Sequence, residues 1–509
     1  MKSTVLFDQD VEDGDAFHAK TLQAATALHG LGIAPGEVVA LMLHNEPVML
    51  ELMLATRFIG GRWCLVNWHF KAAEVRHVLT DSDAKLLVVH ADLLAQIEGG
   101  IPDGVCVFVV QPLPFTQRAH RLSADLLPLP AGAVAWAEFR DAATGPSPAE
   151  QAPGSAMVYT SGTTGLPKGI QREPANAAQL TAMAAHMAIV LGLQPGMRAL
   201  LSAPMYHSAP ASYVLQCALH SAQLRIEPRF DAERTLRLIE SERLTHLYLV
   251  PTMYVRLLGL PEAVRQRHDL SSLRFVASTG SPCAPEIKRR MIDWWGPVIN
   301  ESYAASELGW VSHIGSADAL ARPGSAGRAL PGVQLKVLDE QGQEQPGGEV
   351  GLLYARSSAV PDFRYAHNPE ARRKLEVGGL WTLGDMGYVD SEGFIFLVDR
   401  QSDMVISGGV NIYPAEIEAT LLTLAGVADC AVFGIPDEEF GEGLAAVVQP
   451  LVSGELTAAA VQAHLRERLA GYKVPRVVVF QDELPREETG KIFKRRLREP
   501  YWQGRTRRV

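Results

Sequence analysis

Between residues 17 and 89, stretches with apolar positions at helical spacing (22–31, 48–58 and 72–79) alternate with short continuous apolar runs (38–42 and 86–89), which predicts an α/β unit. Residues 111–155, rich in Pro and Ala, read as loop and connector. Four further apolar runs predict strands at 198–202, 245–250, 273–277 and 298–302. Each leads directly into small, polar or aromatic residues, at 204–207, 251–254, 278–280 and 303–307. Helical stretches at 231–244, with Leu236, Ile239 and Arg243, and at 285–295, with Ile287, Met291 and Trp294, precede the second and fourth runs. Strand, helix, strand in sequence predicts a parallel sheet, whose carboxyl edge is where open α/β sheets bind ligands. On pattern alone, the same four segments are equally well ordinary connecting loops.

Past residue 400 the pattern changes. A strand at 394–398 is followed by an apolar run at 404–407, a Gly408-Gly409 turn, a helix at 415–424, a strand at 429–433 and a helix at 458–469. The expected organisation is an α/β fold: a large N-terminal domain, 1–400, with mixed, mostly parallel sheets flanked by helices, and a small mobile α+β C-terminal domain, 401–509. The hinge falls at 400–403.

Composition narrows the function. At 509 residues, 47% hydrophobic and 20% charged, the chain is long enough for several cores and is neither disordered nor fibrous. A net charge of -10 argues against nucleic acid as the main partner. Cys64, Cys106, Cys217, Cys283 and Cys430 are odd in number and never in C-x-x-C, so they suggest reduced thiols in a cytoplasmic protein. Residues 1–10 carry no secretion-like apolar run, and the most apolar window, 47–61, is broken by Glu51 and Arg57 and is too short for a membrane span. Oligomeric state is left open.

The richest chemistry lies at Tyr159-Thr160-Ser161-Gly162-Thr163-Thr164-Gly165-Leu166-Pro167-Lys168-Gly169. Hydroxyls alternate with glycines after a strand-like 156–159, so backbone N–H groups and side-chain oxygens can converge on an anion beside the Lys168 charge. That is a phosphate cradle in chemical terms, although Pro167 before Lys168 and Gly169 after it rule out a Walker A loop.

The whole string resembles the signature of the adenylate-forming superfamily of acyl-CoA synthetases, peptide-synthetase adenylation domains and firefly luciferases. The resemblance runs from about residue 22 to the C-terminus and meets further motifs in family order. Tyr303-Ala304-Ala305-Ser306-Glu307 is similar to the family's Y-G-x-T-E, 381–385 to its T-G-D segment, and Asp399-Arg400 with Gly408-Gly409 to its hinge region. Gly471-Tyr472-Lys473-Val474-Pro475 and Pro485-Arg486-Glu487-Glu488-Thr489-Gly490-Lys491 complete the series.

The resemblance implies ATP, Mg²⁺ and coenzyme A as cofactors and a small-molecule carboxylic acid as substrate. Thr160, Ser161, Gly162, Thr163, Thr164, Gly165, Lys168 and Ser306 would contact phosphate. Ser278, Thr279, Gly280 and Tyr303 would hold adenine, and Asp385 with Arg400 the ribose. Glu307 would ligate Mg²⁺, since a hard cation takes oxygen ligands. Lys491 would be the catalytic cation against charge building at the α-phosphorus. His207 would line or gate the acid pocket, with a hydrogen-bonded structural histidine as the other reading. Gly408, Gly409, Tyr472 and Lys473 would contact coenzyme A, and Ser402 would stand at the hinge. Tyr206, Ser212, Tyr213, Trp310 and Val311 are candidates for a largely apolar acid pocket.

Four positions depart from the family pattern: Ser306 for Thr, Ala304 for Gly, Leu383 for the Thr before Gly384-Asp385, and Ser402 for the hinge Asp or Lys. The leading expectation is an acid:CoA ligase releasing AMP and pyrophosphate. The rival is a stand-alone adenylation enzyme loading an acyl carrier protein. A luciferase-type oxygenase would use the same adenylate, and a catalytically silent relative would be expected to lack Lys491 or Glu307. Fatty, alicyclic and aryl acids all remain open.

Overall fold

The computed structural model describes residues 3–123, 129, 133–160, 167–408, 410–486 and 492–503. Strand Val38–Met42 is buried along its whole length, as befits an all-apolar run with helices on both faces. It is the centre of an eight-stranded sheet, flanked by Arg62–Leu65 and Ala84–His90, both parallel to it. The crossover helices match their predicted positions, at Pro47–Phe58 and Ala72–Asp81. Pro47 sits in the first turn, where its missing N–H costs nothing.

Helix Gly14–Gly30 begins a full two turns before the predicted 22–31. Asp13 caps it, its Oδ1 accepting from Asp15 N at 2.9 Å and Ala16 N at 3.0 Å. Only Phe17 and Thr21 point inward between residues 15 and 21, too sparse a stripe to announce a helix.

The segment 111–155, expected as connector, carries helices Pro114–His120 and Trp136–Asp141. Pro114 occupies a helix first turn, and Trp136 is buried with its Nε1 donating to Glu51 Oε1 at 3.3 Å. Tertiary burial, not periodicity, makes the second of these short helices.

The four strands predicted downstream lie at Arg198–Leu201, His246–Leu249, Phe275–Ser278 and Ile299–Ala305, and each pairs in parallel with the next. Helices Ala232–Ser241 and Pro285–Trp295 make the crossovers. Beyond Ile299–Ala305 the same 14-stranded sheet turns antiparallel, through Gly309–Gly315 and Ser325–Ala329 to Phe394–Arg400 and Leu380–Val389. A third sheet of five strands, from Val405–Ser407 to Val477–Phe480, packs with helices Pro414–Leu421 and Ala458–Arg466 around its own core.

The carboxyl ends of the two large sheets meet at Asn45. This fully buried side chain donates to Ala203 O at 2.9 Å and Glu227 O at 3.2 Å, and accepts from Met205 N at 2.8 Å. One amide thus satisfies three backbone groups of the second sheet from the end of a first-sheet strand.

Candidate active site

The cleft forms where the two sheets present their carboxyl ends. Thr160 faces Lys168 across an antiparallel pair, so the predicted phosphate loop connects adjacent strands Ala156–Thr160 and Lys168–Arg172. Both flanks of the loop are held by helix Ala72–Asp81: Tyr159 Oη donates to Asp81 Oδ2 at 2.8 Å, and His77 Nε2 lies 2.8 Å from Pro167 O. Ser161, Gly162, Thr163, Thr164 and Gly165 lie outside the described residues.

Across the cleft, Glu307 follows strand Ile299–Ala305 and is 9% exposed. Tyr365 Oη donates to its Oε1 at 2.9 Å. Arg172 holds the backbone on either side, its Nη2 donating to Ser306 O and Glu307 O, both at 2.7 Å, and its Nη1 to Pro361 O at 2.7 Å. Burial lowers the Arg172 pKa to about 10, against the opposing pull of Glu307, so the guanidinium stays charged near neutral pH. Lys168 Nζ stands 5.4 Å from the centre of the Tyr365 ring, within cation–π range. A cavity of about 600 Å³ opens beside Glu307, with Arg172, Gln179, Arg356 and Trp381 in its wall.

The strand ends expected around a nucleotide are tied to one another. Thr279 Oγ1 donates to Ser302 O at 2.7 Å, and Ser306 Oγ is 3.3 Å from Ser208 Oγ, which draws 204–208 against 303–307. Ser278 is buried at the end of its strand, and Gly280 takes φ +98°, a conformation that favours glycine. Tyr303 Oη donates to Asp385 Oδ2 at 2.5 Å, and Arg400 Nε is 3.4 Å from Asp385 Oδ1. Burial, then the Asp385 charge, pushes the Tyr303 phenol well above its usual pKa, so it stays a donor. Residues predicted for adenine and ribose are therefore in direct contact.

His207 stands at the N-cap position of helix Ser208–His220 with no side-chain capping bond, its ring centre 4.2 Å from that of Tyr206. Of the proposed pocket wall, Tyr206, Tyr213 and Val311 are buried, while Ser212 and Trp310 are partly exposed.

In the C-terminal part, Gly408 has φ +57° and its N–H donates to Phe440 O at 2.9 Å. Tyr472 is 55% exposed in a short turn, and Lys473 Nζ is 2.6 Å from Glu416 Oε2. Ser402 O lies 3.5 Å from Arg498 Nη1, which is also 3.7 Å from Asp403 Oδ1. Gly409 and Lys491 lie outside the described residues. Three residues that organise the site carry no sequence motif: Asn45, Arg172 and Tyr365. An Arg four positions after Lys168, at the end of a strand-like stretch, was the one available sign.

Comparison with known proteins shows the family. The AMP-binding enzyme family matches residues 14–361, and its C-terminal domain matches residues 416–491. The chain is 34% identical over 484 residues to indoleacetate–CoA ligase of Aromatoleum aromaticum, covering 93% of this chain and 90% of that protein. It is 32% identical to feruloyl-CoA synthase of an Amycolatopsis species, covering 94% and 92%. The ATP-bound crystal structure of MatB from Rhodopseudomonas palustris superimposes with a TM-score of 0.83 at 27% identity, covering 98% and 96% of the two chains. Among the described residues no helix is long and apolar enough to cross a membrane.

Proposed function

The chain belongs to the AMP-binding enzyme family, and from that premise we propose that it is an AMP-forming acid:CoA ligase. A carboxylate oxygen attacks the α-phosphorus of ATP and pyrophosphate leaves. The thiol of coenzyme A then attacks the acyl carbon of the adenylate, and AMP leaves. Activation comes first because a carboxylate oxygen is a poor leaving group and a phosphoryl group makes it a good one.

The observation that carries the reading is the meeting of Lys168 and Glu307 on Tyr365, one touching its ring face and the other its hydroxyl. It joins the end of the phosphate-loop hairpin to the carboxylate after strand Ile299–Ala305, a cation and an anion on either side of a cleft. Glu307 suits Mg²⁺: its carboxylate is an oxygen donor at the cleft, and among the described residues its side chain is bonded only by a neutral hydroxyl. Bound there, the ion would neutralise triphosphate charge. Thr160 to Gly165, Lys168 and Ser306 surround the phosphates; Ser278, Thr279, Gly280 and Tyr303 surround the base; Asp385 and Arg400 take the ribose. Lys491 serves the α-phosphoryl group and His207 the acid.

Residues 1–400 and 401–509 act as two domains turning about Ser402, which exchanges Lys491 for Gly408, Gly409, Tyr472 and Lys473 at the cleft so that coenzyme A can enter. An aryl-substituted acid fits the names of indoleacetate–CoA ligase and feruloyl-CoA synthase and the aromatic pair of Trp68 and Tyr206, 4.5 Å between ring centres. Five free cysteines support a cytoplasmic setting.

The test is ATP–pyrophosphate exchange with Mg²⁺ against a panel of arylalkanoic, cinnamic and fatty acids, followed by coenzyme A and mass detection of the thioester. Exchange and thioester with an aryl acid are the expected result. Exchange without thioester removes coenzyme A as acceptor, and no exchange with any acid removes the reading.

A further inference from the structure

Away from the nucleotide cleft, the carboxyl ends of two paired strands carry a second group of polar side chains. His44 follows Val38–Met42, His90 ends Ala84–His90, and Asp92 opens the turn after it. One possible ligand atom from each residue lies within 4.8 Å of the other two. His44 is 3% exposed and His90 0%, and the Asp92 side chain is 9% exposed. Backbone pairing of the two strands, together with a hydrogen bond from His44 N to His90 Nδ1 at 2.9 Å, sets the rings side by side, 5.2 Å between centres.

Two features of this group are costly as they stand. The first is charge. Asp92 Oδ2 is 2.8 Å from His44 Nε2, and the buried Glu46 has its Oε2 3.4 Å from His90 Nε2, so two carboxylates face two imidazoles. Glu46 Oε1 accepts from Leu113 N at 2.8 Å, and among the described residues no Lys or Arg pairs with either acid, so the two imidazoles are left to compensate the buried charge. The second is hydrogen bonding. His90 Nε2, the ring nitrogen not used by the His44 N–H, is buried without a hydrogen-bond partner, which native interiors rarely tolerate unless water or an ion supplies one.

We propose that His44, His90 and Asp92 form a binding site for a divalent transition-metal cation of the zinc class. Two imidazoles and a carboxylate make a borderline donor set suited to zinc-like ions, whereas Mg²⁺ and Ca²⁺ want oxygen throughout. Because His90 Nδ1 is occupied by the backbone N–H of His44, its ligating atom is Nε2. Glu46 Oε2, 3.4 Å from that same nitrogen, stands at the site as a further carboxylate facing the ion. The 2.8 Å between His44 Nε2 and Asp92 Oδ2 is close to the roughly 3 Å separating two ligands that each bind one ion at about 2 Å. A dication entering there balances the two carboxylates and displaces the imidazole N–H proton to solvent.

The site is separate from the proposed Glu307 position, yet it adjoins residues proposed for the acid pocket. The His44 ring is 5.1 Å from Trp68, and Trp68 is 4.5 Å from Tyr206 between ring centres. An ion at His44 therefore stiffens the wall that ends at Tyr206 and His207.

The full-length chain, stripped with a chelator and dialysed, is titrated with Co²⁺ and then with Zn²⁺. A saturable visible cobalt spectrum at one ion per chain, displaced by one equivalent of zinc, is expected. In Asp92→Asn and in His90→Gln the cobalt affinity should fall at least about tenfold. The wild-type spectrum does not depend on either variant folding. Absence of a saturable spectrum, or its retention at wild-type affinity in either folded variant, overturns the site and leaves buried water as the partner of His90 Nε2.

Discussion

Tyr365 and Glu307 are joined by a 2.9 Å hydrogen bond in which the phenol donates to the carboxylate, and both side chains are nearly buried. Burial, followed by the nearby Glu307 charge, raises the phenol pKa, so it remains a donor at any working pH. The bond fixes which Glu307 oxygen stays available to a cation. Tyr365→Phe keeps the ring under Lys168 and removes only that donor. The expected result is a rise of about tenfold in the Mg²⁺ concentration for half-maximal pyrophosphate exchange, with thermal stability nearly unchanged. An unaltered magnesium curve would show that the hydroxyl does not orient the carboxylate.

Arg172 spans three carbonyls on two segments, and only a planar fork of donors can do that. Arg172→Met should cost about 3 kcal/mol of stability, because buried carbonyls lose charged donors. Arg172→Lys should recover little of it, since one ammonium cannot reach both 306–307 and 361. Denaturant midpoints for the two variants check this, and full rescue by Lys would reduce the role of Arg172 to its charge.

These two residues also mark the limit of what was legible in the sequence. The phosphate-loop string, the four apolar strands and Glu307 at a strand end were all readable, because their signals are local: a run, a period, a turn. Tyr365 and Glu307 are 58 positions apart, Arg172 and Ser306 are 134, and Asn45 and Ala203 are 158. In the last two pairs the partner is a backbone carbonyl, which every residue has and no sequence advertises. Helices Pro114–His120 and Trp136–Asp141 were hidden for a related reason: their Pro and Ala content signals a loop, and the burial of Trp136 against Glu51 is a tertiary event. Contact between Tyr303 and Asp385 was equally invisible, since both were read as separate ligands of one nucleotide.

Stability should fall in acid through His246. This ring lies fully buried in strand His246–Leu249, with Nε2 3.0 Å from Gly192 O and Nδ1 2.8 Å from Thr245 Oγ1. Burial lowers its pKa to about 4. Between about pH 4 and 6.5 the unfolded chain binds a proton that the folded chain does not, so stability is complete above pH 6.5 and declines as pH falls toward 4. The loss is at most about 3 kcal/mol, from 1.36 kcal/mol per unit. His246→Gln should be less stable at pH 7.5 but show a flatter decline on acidification. Parallel slopes for the two proteins in urea melts at pH 7.5 and 5 would assign the acid sensitivity to another group.

Two lysines near the end of the chain should separate chemistry from architecture. Lys494 is 2.8 Å from Glu418 Oε1 on helix Pro414–Leu421, both partly buried, with Asp399 and Asp403 also favouring its charge. Together with Arg498 on Ser402 and Asp403, it binds the tail to the proposed hinge. Lys491 is not a member of that network as described. Lys491→Ala should reduce pyrophosphate exchange by about 10² to 10³ while thioester formation from supplied acyl-adenylate persists, because only the first step develops charge at the α-phosphorus. Lys494→Met instead leaves the partly buried Glu418 carboxylate without its cation, costs about 1 to 3 kcal/mol, and should depress both half-reactions together. Single-turnover assays of each half-reaction, paired with denaturation curves, distinguish the two. Equal losses in both steps for Lys491→Ala at full stability would place that lysine in the framework and leave the first step without its cation.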